Sequence, residues 1–127
     1  MNFPKNLLYS RTHEWVLFAE DGTATVGITD YAQDQLGDLV FVNLPEPGDQ
    51  VTAGEAFADV ESVKAVSDVY APVAGTVGEG NADLEADPAA LNADPENTWI
   101  CKLEGVNASD LGKLMDADAY AKFVETL

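Results

Sequence analysis

Short apolar runs separated by turn residues dominate the first hundred positions and limit what this chain can fold into. The runs are five to eight residues long and rich in valine and aromatic side chains, which is typical of β strands. Their spacing favours one mainly β domain, a small β sandwich or flattened barrel. The predicted strands are residues 14–19, 24–28, 39–44, 56–62, 65–71, 75–80 and 98–105.

The Asp-Gly pair at 21–22 predicts a hairpin between the first two strands, because this dipeptide suits a tight turn. Within the first strand, alternation places Trp15 and Leu17 on one face and Val16 and Phe18 on the other. All four residues are large and apolar. We therefore expect a strand that is partly covered on both sides.

Helical periodicity is confined to two places. Residues 30–36 predict a short helix that Thr29 or Asp30 caps and Gly37 ends. In the tail, Ser109 or Asp110 is expected to cap one short helix. Asp116 is expected to cap a second, whose apolar face consists of Tyr120, Phe123, Val124 and Leu127.

These elements predict a single domain over 1–127, with a core at about 8–105 and a C-terminal helical segment at about 108–126. Residues 81–97 are acidic and contain two Asp-Pro pairs, so we expect a surface excursion with at most one helical turn at 89–91. The excursion lacks the ligand spacing of an EF-hand loop, which argues against a calcium site.

The chain carries 23 acidic and 6 basic residues, a formal net charge of −17. Such a field repels phosphates and anionic lipids, so we expect neither nucleic acid nor a membrane as partner. The charge is consistent with high solubility or adaptation to salt. A sharper alternative is that it steers basic partner proteins.

Few residues offer metal or thiol chemistry. Cys101 is the only cysteine, which excludes an internal disulfide, and its apolar neighbours predict a buried thiol. His13 is the only histidine, and we expect it at the surface or at a strand end rather than as a metal ligand. The N-terminus lacks a signal-peptide core and no run reaches membrane-span length, so a soluble cytoplasmic protein is expected.

Lys64 is the only basic residue between Arg11 and Lys102, an interval that holds 18 acids. Similar strands flank it, which predicts a hairpin with Val63 and Lys64 at an exposed tip. We expect the glycines at 54 and 75 to suit the far ends of the two strands.

The surroundings of this lysine limit its chemistry. A lysine that forms Schiff bases needs burial or a second cation nearby. Glu61 and Asp68 instead favour the protonated amine. Lys64 is therefore poorly placed to act as a nucleophile of its own and well placed to be modified by another enzyme. An ordinary turn lysine remains the alternative.

Several segments together resemble the H protein of the glycine cleavage system, from Leu8 to the C-terminal helix. They are HEWV at 13–16, VGITDYAQDQLGDLVFVNLPEPG at 26–48, DVESVKAVSDVYAPVAGTV at 59–77, and Trp99 before a β run. The central motif is Glu61, Ser62, Val63, Lys64 and Ala65. The motif alone would also fit a lipoyl domain of a 2-oxoacid dehydrogenase, whereas a biotin carrier would have Met on both sides of the lysine.

The resemblance implies a lipoyl-type fold and a carrier rather than an enzyme, with lipoate joined to Lys64 by a lipoyl-attachment enzyme. It further implies three partners: a pyridoxal-phosphate glycine decarboxylase, a tetrahydrofolate-dependent aminomethyltransferase and dihydrolipoyl dehydrogenase. The carrier would shuttle the aminomethyl group of glycine among them, as a monomer. An acidic interaction module with an unmodified lysine is the alternative from another functional class.

The resemblance also implies a groove that shields the loaded arm. Glu14 matches the position of the acid that receives the amine, and Ser67 and Asp68 are candidates for the lining. Family members often have a histidine in the helix where this chain has Tyr31 and Gln35. A phenol or an amide must then substitute, and the pH response of the groove should differ.

Overall fold

The computed structural model covers residues 1–127 and consists mainly of antiparallel strands with short helices. The strands are β1 (Leu8–Tyr9), β2 (Glu14–Phe18), β3 (Ala24–Ile28), β4 (Leu39–Asn43), β5 (Gln50–Val51), β6 (Ala56–Ser62), β7 (Val66–Tyr70), β8 (Gly75–Gly80) and β9 (Cys101–Glu104). The helices are α1 (Asp30–Leu36), α2 (Asp83–Ala86), α3 (Ala90–Ala93), a 3-10 helix (Ala108–Lys113) and α4 (Ala117–Glu125).

The strands form two open sheets, one in the order β1-β2-β3-β9-β8-β5 and one in the order β4-β6-β7. A cluster of 17 buried residues draws on both sheets, with Val26 from the larger and Val60 from the smaller. The two sheets therefore pack face to face around one apolar layer. This confirms the predicted β sandwich, and because neither sheet closes, the molecule is not a barrel.

A second apolar cluster attaches the C-terminal helix to the outside of the larger sheet. Trp15 lies in this cluster, whereas its neighbour Val16 lies in the main core, so β2 is partly covered on both faces as predicted. Coverage of the Trp15 face does not reach Leu17, which is 42% exposed. The rings of Tyr9 and Tyr120 stack with their centroids 4.7 Å apart. The indole nitrogen of Trp15 donates a hydrogen bond to the carbonyl oxygen of Pro95 at 2.9 Å. Burial of large aromatic groups thus holds α4 in place.

The predicted turn and caps that shape the functional region are present. Gly22, at φ +89°, closes the hairpin between β2 and β3. The hydroxyl of Thr29 accepts a hydrogen bond from the backbone N–H of Ala32 at 3.1 Å, which caps α1. Gly37 ends this helix at φ +80°. Asp116 caps α4 in the same way as Thr29 caps α1.

Three details differ from the sequence-based expectation. Residues 81–97 contain two helical turns rather than at most one, because Leu84 and Leu91 each insert into the core. Asn107, not Ser109 or Asp110, caps the 3-10 helix. Leu127 does not share the buried face of α4, because the helix ends two residues earlier and leaves this side chain 62% exposed.

None of the helices could cross a membrane, since the longest, α4, has only nine residues.

Candidate functional site

Lys64 lies at the tip of the hairpin that β6 and β7 form. The hydroxyl of Ser62 accepts hydrogen bonds from the backbone N–H groups of Lys64 at 3.1 Å and Ala65 at 3.2 Å. The backbone N–H of Ser62 donates to the carbonyl oxygen of Ala65 at 2.8 Å. Because one serine closes the turn, the lysine is exposed on a defined backbone rather than on a loose loop.

The hairpin tip is also tied to the segment that joins α1 to β4. The backbone N–H of Val63 donates to the carbonyl oxygen of Asp38 at 3.2 Å. A Cβ atom on Gly37 would lie 3.3 Å from the Cε atom of Lys64. Gly37 therefore serves two purposes, since it adopts a positive φ and leaves room for the lysine side chain.

Of the two glycines predicted at the far ends of the hairpin strands, only one lies there. Gly54 lies at the far end of the hairpin, at φ +87°, and its N–H donates to the carbonyl oxygen of Ala71 at 2.8 Å. Gly75 instead begins β8 in the other sheet. A Cβ atom there would come within 3.0 Å of the carbonyl oxygen of Glu104, so close packing between strands explains this glycine.

A cavity of about 280 Å³ lies between the start of β2, helix α1 and strand β7. Leu36 is part of its lining, and the next residue, Gly37, lies beside the Lys64 side chain. Lys64 itself is not part of the lining. The structure brings all the predicted groove residues to this one cavity. They are Glu14, Tyr31, Gln35, Ser67 and Asp68.

Within this cavity the polar groups differ in depth. Glu14 is only 2% exposed. Ser67 and Tyr31 are partly buried, while Gln35 and Asp68 are exposed and lie at the rim. The lining contains no lysine or arginine. The cavity therefore has a carboxyl group, that of Glu14, in its interior and no lysine or arginine to pair with it.

Glu14 is held by three donors: the hydroxyls of Ser10, at 2.7 Å, and Thr12, and the backbone N–H of Tyr70 at 3.4 Å. Burial raises the pKa of Glu14 to about 7, and the hydrogen bonds from Thr12, Ser10 and Tyr70 oppose the rise. Near neutral pH the carboxyl group is therefore poised between its two forms. A cation in the cavity would favour the ionised form.

His13 lies in the cavity wall beside Glu14 and has a positive φ of 75°, which is uncommon for a residue other than glycine. Its Nδ1 atom lies 2.8 Å from the hydroxyl oxygen of Tyr120. That hydroxyl is also 2.8 Å from the hydroxyl of Thr29, the cap of α1. Burial lowers the pKa of His13, so the ring is held in its neutral form.

Sequence reasoning placed His13 correctly near a strand end but did not find the roles of Thr12 and Tyr120. The sequence pattern places Tyr120 only on an apolar helix face, whereas in the structure its hydroxyl contacts a histidine 107 positions away along the chain. Thr12 lies two residues before Glu14, and that short spacing was the only local signal available.

Cys101 is fully buried in the main core, as predicted. Burial raises the pKa of its thiol to about 12, so the reactive thiolate is scarce. The cysteine is part of the packing and takes no part in the cavity.

Known proteins are similar to this chain in both sequence and fold. The family model described as "Glycine cleavage H-protein" matches residues 7–127. A glycine cleavage system H protein from Listeria monocytogenes is 52% identical over 126 residues, 98% of this chain and 100% of that protein. A probable glycine cleavage system H protein from Thermococcus gammatolerans is 53% identical over 124 residues, 97% of this chain and 92% of that protein.

A solved structure gives the same result in three dimensions. The crystal structure of a glycine cleavage system H protein from Mycobacterium marinum superposes with a TM-score of 0.87 at 39% identity. The match covers 98% of this chain and 100% of that chain. The similarity therefore extends over the hairpin, the cavity and the C-terminal helix together.

Proposed function

This chain belongs to the glycine cleavage H-protein family, and from that membership we propose that it is a lipoyl carrier whose lipoate is joined to Lys64. The observation that carries the proposal is the position of this lysine. It stands exposed on a closed hairpin turn, next to a cavity whose interior contains a buried carboxyl group.

The hairpin tip fits an amide-linked arm. Lys64 is exposed, and Gly37 leaves its side chain unobstructed. Amide formation removes one positive charge, so 23 acids would then face 5 bases, a net charge of −18. The rigid turn fixes the root of the arm while its free end sweeps a limited volume, which raises its effective concentration at each site within reach.

When bound, lipoate supplies a dithiolane that takes up the aminomethyl group of glycine and passes it on. The residues of this chain would bind and shield that cargo. Glu14 would hold the protonated amine through a charge-assisted hydrogen bond, and Ser67 would line the path to it. Gln35 and Asp68 would flank the entrance at the rim.

Membership of the H-protein family also indicates which enzymes this chain would work with. We expect glycine decarboxylase to load the arm, the aminomethyltransferase to unload it and dihydrolipoyl dehydrogenase to reoxidise it. A lipoyl-attachment enzyme must act first. In this scheme the covalent chemistry takes place in the partners' active sites, and this chain positions and protects the transferred unit.

The mass of the protein from its native host tests the attachment. We expect an increment of the size of a lipoyl group in the intact protein, located by peptide mapping at Lys64. The Lys64→Arg variant should lose the increment, because arginine keeps the charge but cannot be acylated in the same way. An unmodified parent, or a variant that retains the increment, would contradict the proposal.

A further inference from the structure

Four apolar side chains are exposed around the lysine tip. They are Val63 at 70%, Val66 at 62%, Val40 at 53% and Phe41 at 46%. Only seven large hydrophobic residues in the chain are exposed, so more than half of them lie in one place. Contiguous exposed apolar groups often mark an interaction site. We call these four residues the tip surface.

Strand register explains why these side chains share a face. Phe41 pairs with Glu61, which pairs in turn with Val66, so the three form one row across the smaller sheet. The neighbouring row contains Val42 and Val60, both 1% exposed, and faces the core. With strands about 4.8 Å apart, the outward row spans roughly 10 Å.

A bulge in β4 extends this row towards the lysine. The pairing of β4 with β6 shifts between Leu39 and Phe41, and the extra residue is Val40. A bulge places two side chains where regular pairing would place one, and here both Val40 and Phe41 are turned outward. Bulges often redirect side chains for binding, which suits an exposed surface beside a modification site.

The charges around the tip surface are acidic. Glu61 lies between Phe41 and Val66 in the outward row. In the next outward row, Asp59 and Asp68 lie directly opposite each other, an arrangement that is unfavourable for like charges. A cation from a partner would relieve that repulsion. The complementary surface thus presents apolar groups to Phe41 and Val66 and a lysine or arginine to Glu61 between them.

We propose that the tip surface is the docking site of the enzyme that acylates Lys64. The inference rests on the proposed function. Acylation joins the Nζ atom to the carbonyl carbon of an activated lipoyl group, breaks the bond to its leaving group and releases one amine proton. The active site must therefore reach Nζ itself and lie against the residues around it, whereas partners that act on the dithiolane work at the far end of the arm.

Docking on this surface would require the folded sheet. Val40 and Phe41 belong to a strand that precedes the lysine by more than twenty positions, so the local motif would supply only part of the contact. The enzyme would then distinguish Lys64 from the four other lysines by the shape and charge of the surface around it.

Initial rates of lipoyl transfer to the purified unmodified protein test the docking site. The Phe41→Ser variant should lower kcat/KM for transfer about tenfold, mainly through KM, because truncating a central aromatic contact has an effect of this size. The matched control is Leu17→Ser, which removes a side chain 42% exposed on the other sheet and should transfer at the parent rate. Circular dichroism confirms that both variants are folded.

Two variants that each remove one negative charge supply a second test. Glu61→Gln should lower kcat/KM at low salt and weaken its dependence on salt. Glu55→Gln removes the same charge at the opposite end of the hairpin and should behave like the parent.

The outcomes separate the proposals. Parent rates for Phe41→Ser would overturn the docking site, and so would a variant that is acylated normally but reacts slowly with the decarboxylase. A change of sedimentation coefficient in Phe41→Ser would assign the surface to a second copy of this chain and would also overturn it. If the parent itself accepts no lipoyl group, the proposed function fails as well.

Discussion

At Glu14 the fold holds a carboxyl group that is costly to ionise until a cation arrives. Three donors face it, yet burial has the larger effect and raises its pKa from 4.5 to about 7. A protonated amine in the cavity would supply the missing charge and lower the pKa again. Near neutral pH, the same residue would thus be only partly ionised in the empty protein and ionised in the loaded one.

This shift predicts how stability depends on pH. Because the folded pKa exceeds the unfolded value, the folded state binds more protons between about pH 4.5 and 7, and the free energy of unfolding falls as pH rises through that window. Glu14→Gln should remove up to about 3 kcal/mol of that fall. Urea unfolding at a series of pH values measures it, with exposed Glu20→Gln as control. Parallel parent and variant profiles would contradict the raised pKa.

Glu14 should also govern retention of the cargo. In the loaded protein, Glu14→Ala should leave lipoylation intact and speed loss of the aminomethyl group to water, because the amine loses its charged partner. Glu14→Gln should lie between parent and alanine variant, since it keeps the shape and one acceptor. Release measured as formaldehyde over time checks this expectation. Equal decay in all three proteins would exclude Glu14 from the role.

At the scale of elements, one hydroxyl joins three parts of the molecule. The Tyr120 side chain on α4 contacts His13 in the cavity wall and Thr29 at the start of α1. Helix α1 supplies four of the residues that line the cavity. The C-terminal helix therefore braces two walls of a cavity that it does not itself line.

Tyr120→Phe should remove the hydroxyl contacts to His13 and Thr29 and keep the packing of the ring in the second apolar cluster. Loss of the hydroxyl contacts should lower the free energy of unfolding by about 1–3 kcal/mol and speed loss of cargo. Tyr9→Phe is the matched control, because Tyr9 stacks on the same ring but donates to Pro4 instead. If both variants lose cargo equally fast, the effect is general destabilisation and the brace is not specific.

Sequence patterns predicted the individual strands and helices better than the long-range contacts between them. The strands, α1 and α4 follow from alternation, caps and turn glycines, which are local signals. The two-residue strands β1 and β5 and the helical turn α2 could not be predicted in the same way, because they depend on partners distant in sequence, such as Met115 for Tyr9. The cavity residues were assigned through a family resemblance, and only the fold brings Glu14 to the edge of β7.

The whole molecule carries its charge unevenly in sequence, with one base among the residues between Arg11 and Lys102. Amide formation at Lys64 would remove that base, so the interval between Arg11 and Lys102 would hold 18 acids and no charged lysine or arginine. Basic surfaces on partners would then be attracted over about 8 Å at physiological ionic strength. Local motifs could predict the sign of this field but not the footprint of any partner.

The field predicts a salt-dependent encounter. Rising salt should increase the KM of the lipoylated protein for glycine decarboxylase while kcat changes little, because screening weakens association rather than chemistry. Steady-state rates between low and physiological salt check this. A flat profile would leave the net charge of the lipoylated protein, −18, as a determinant of solubility alone.

Glycine-dependent exchange of CO2 with bicarbonate, catalysed by glycine decarboxylase, tests the central claim most directly. The decarboxylase should need this protein in its lipoylated form, so the parent should support exchange and Lys64→Arg should give only the background rate of the decarboxylase alone. Exchange supported equally by the unmodified protein or by Lys64→Arg would contradict a carrier that acts through Lys64.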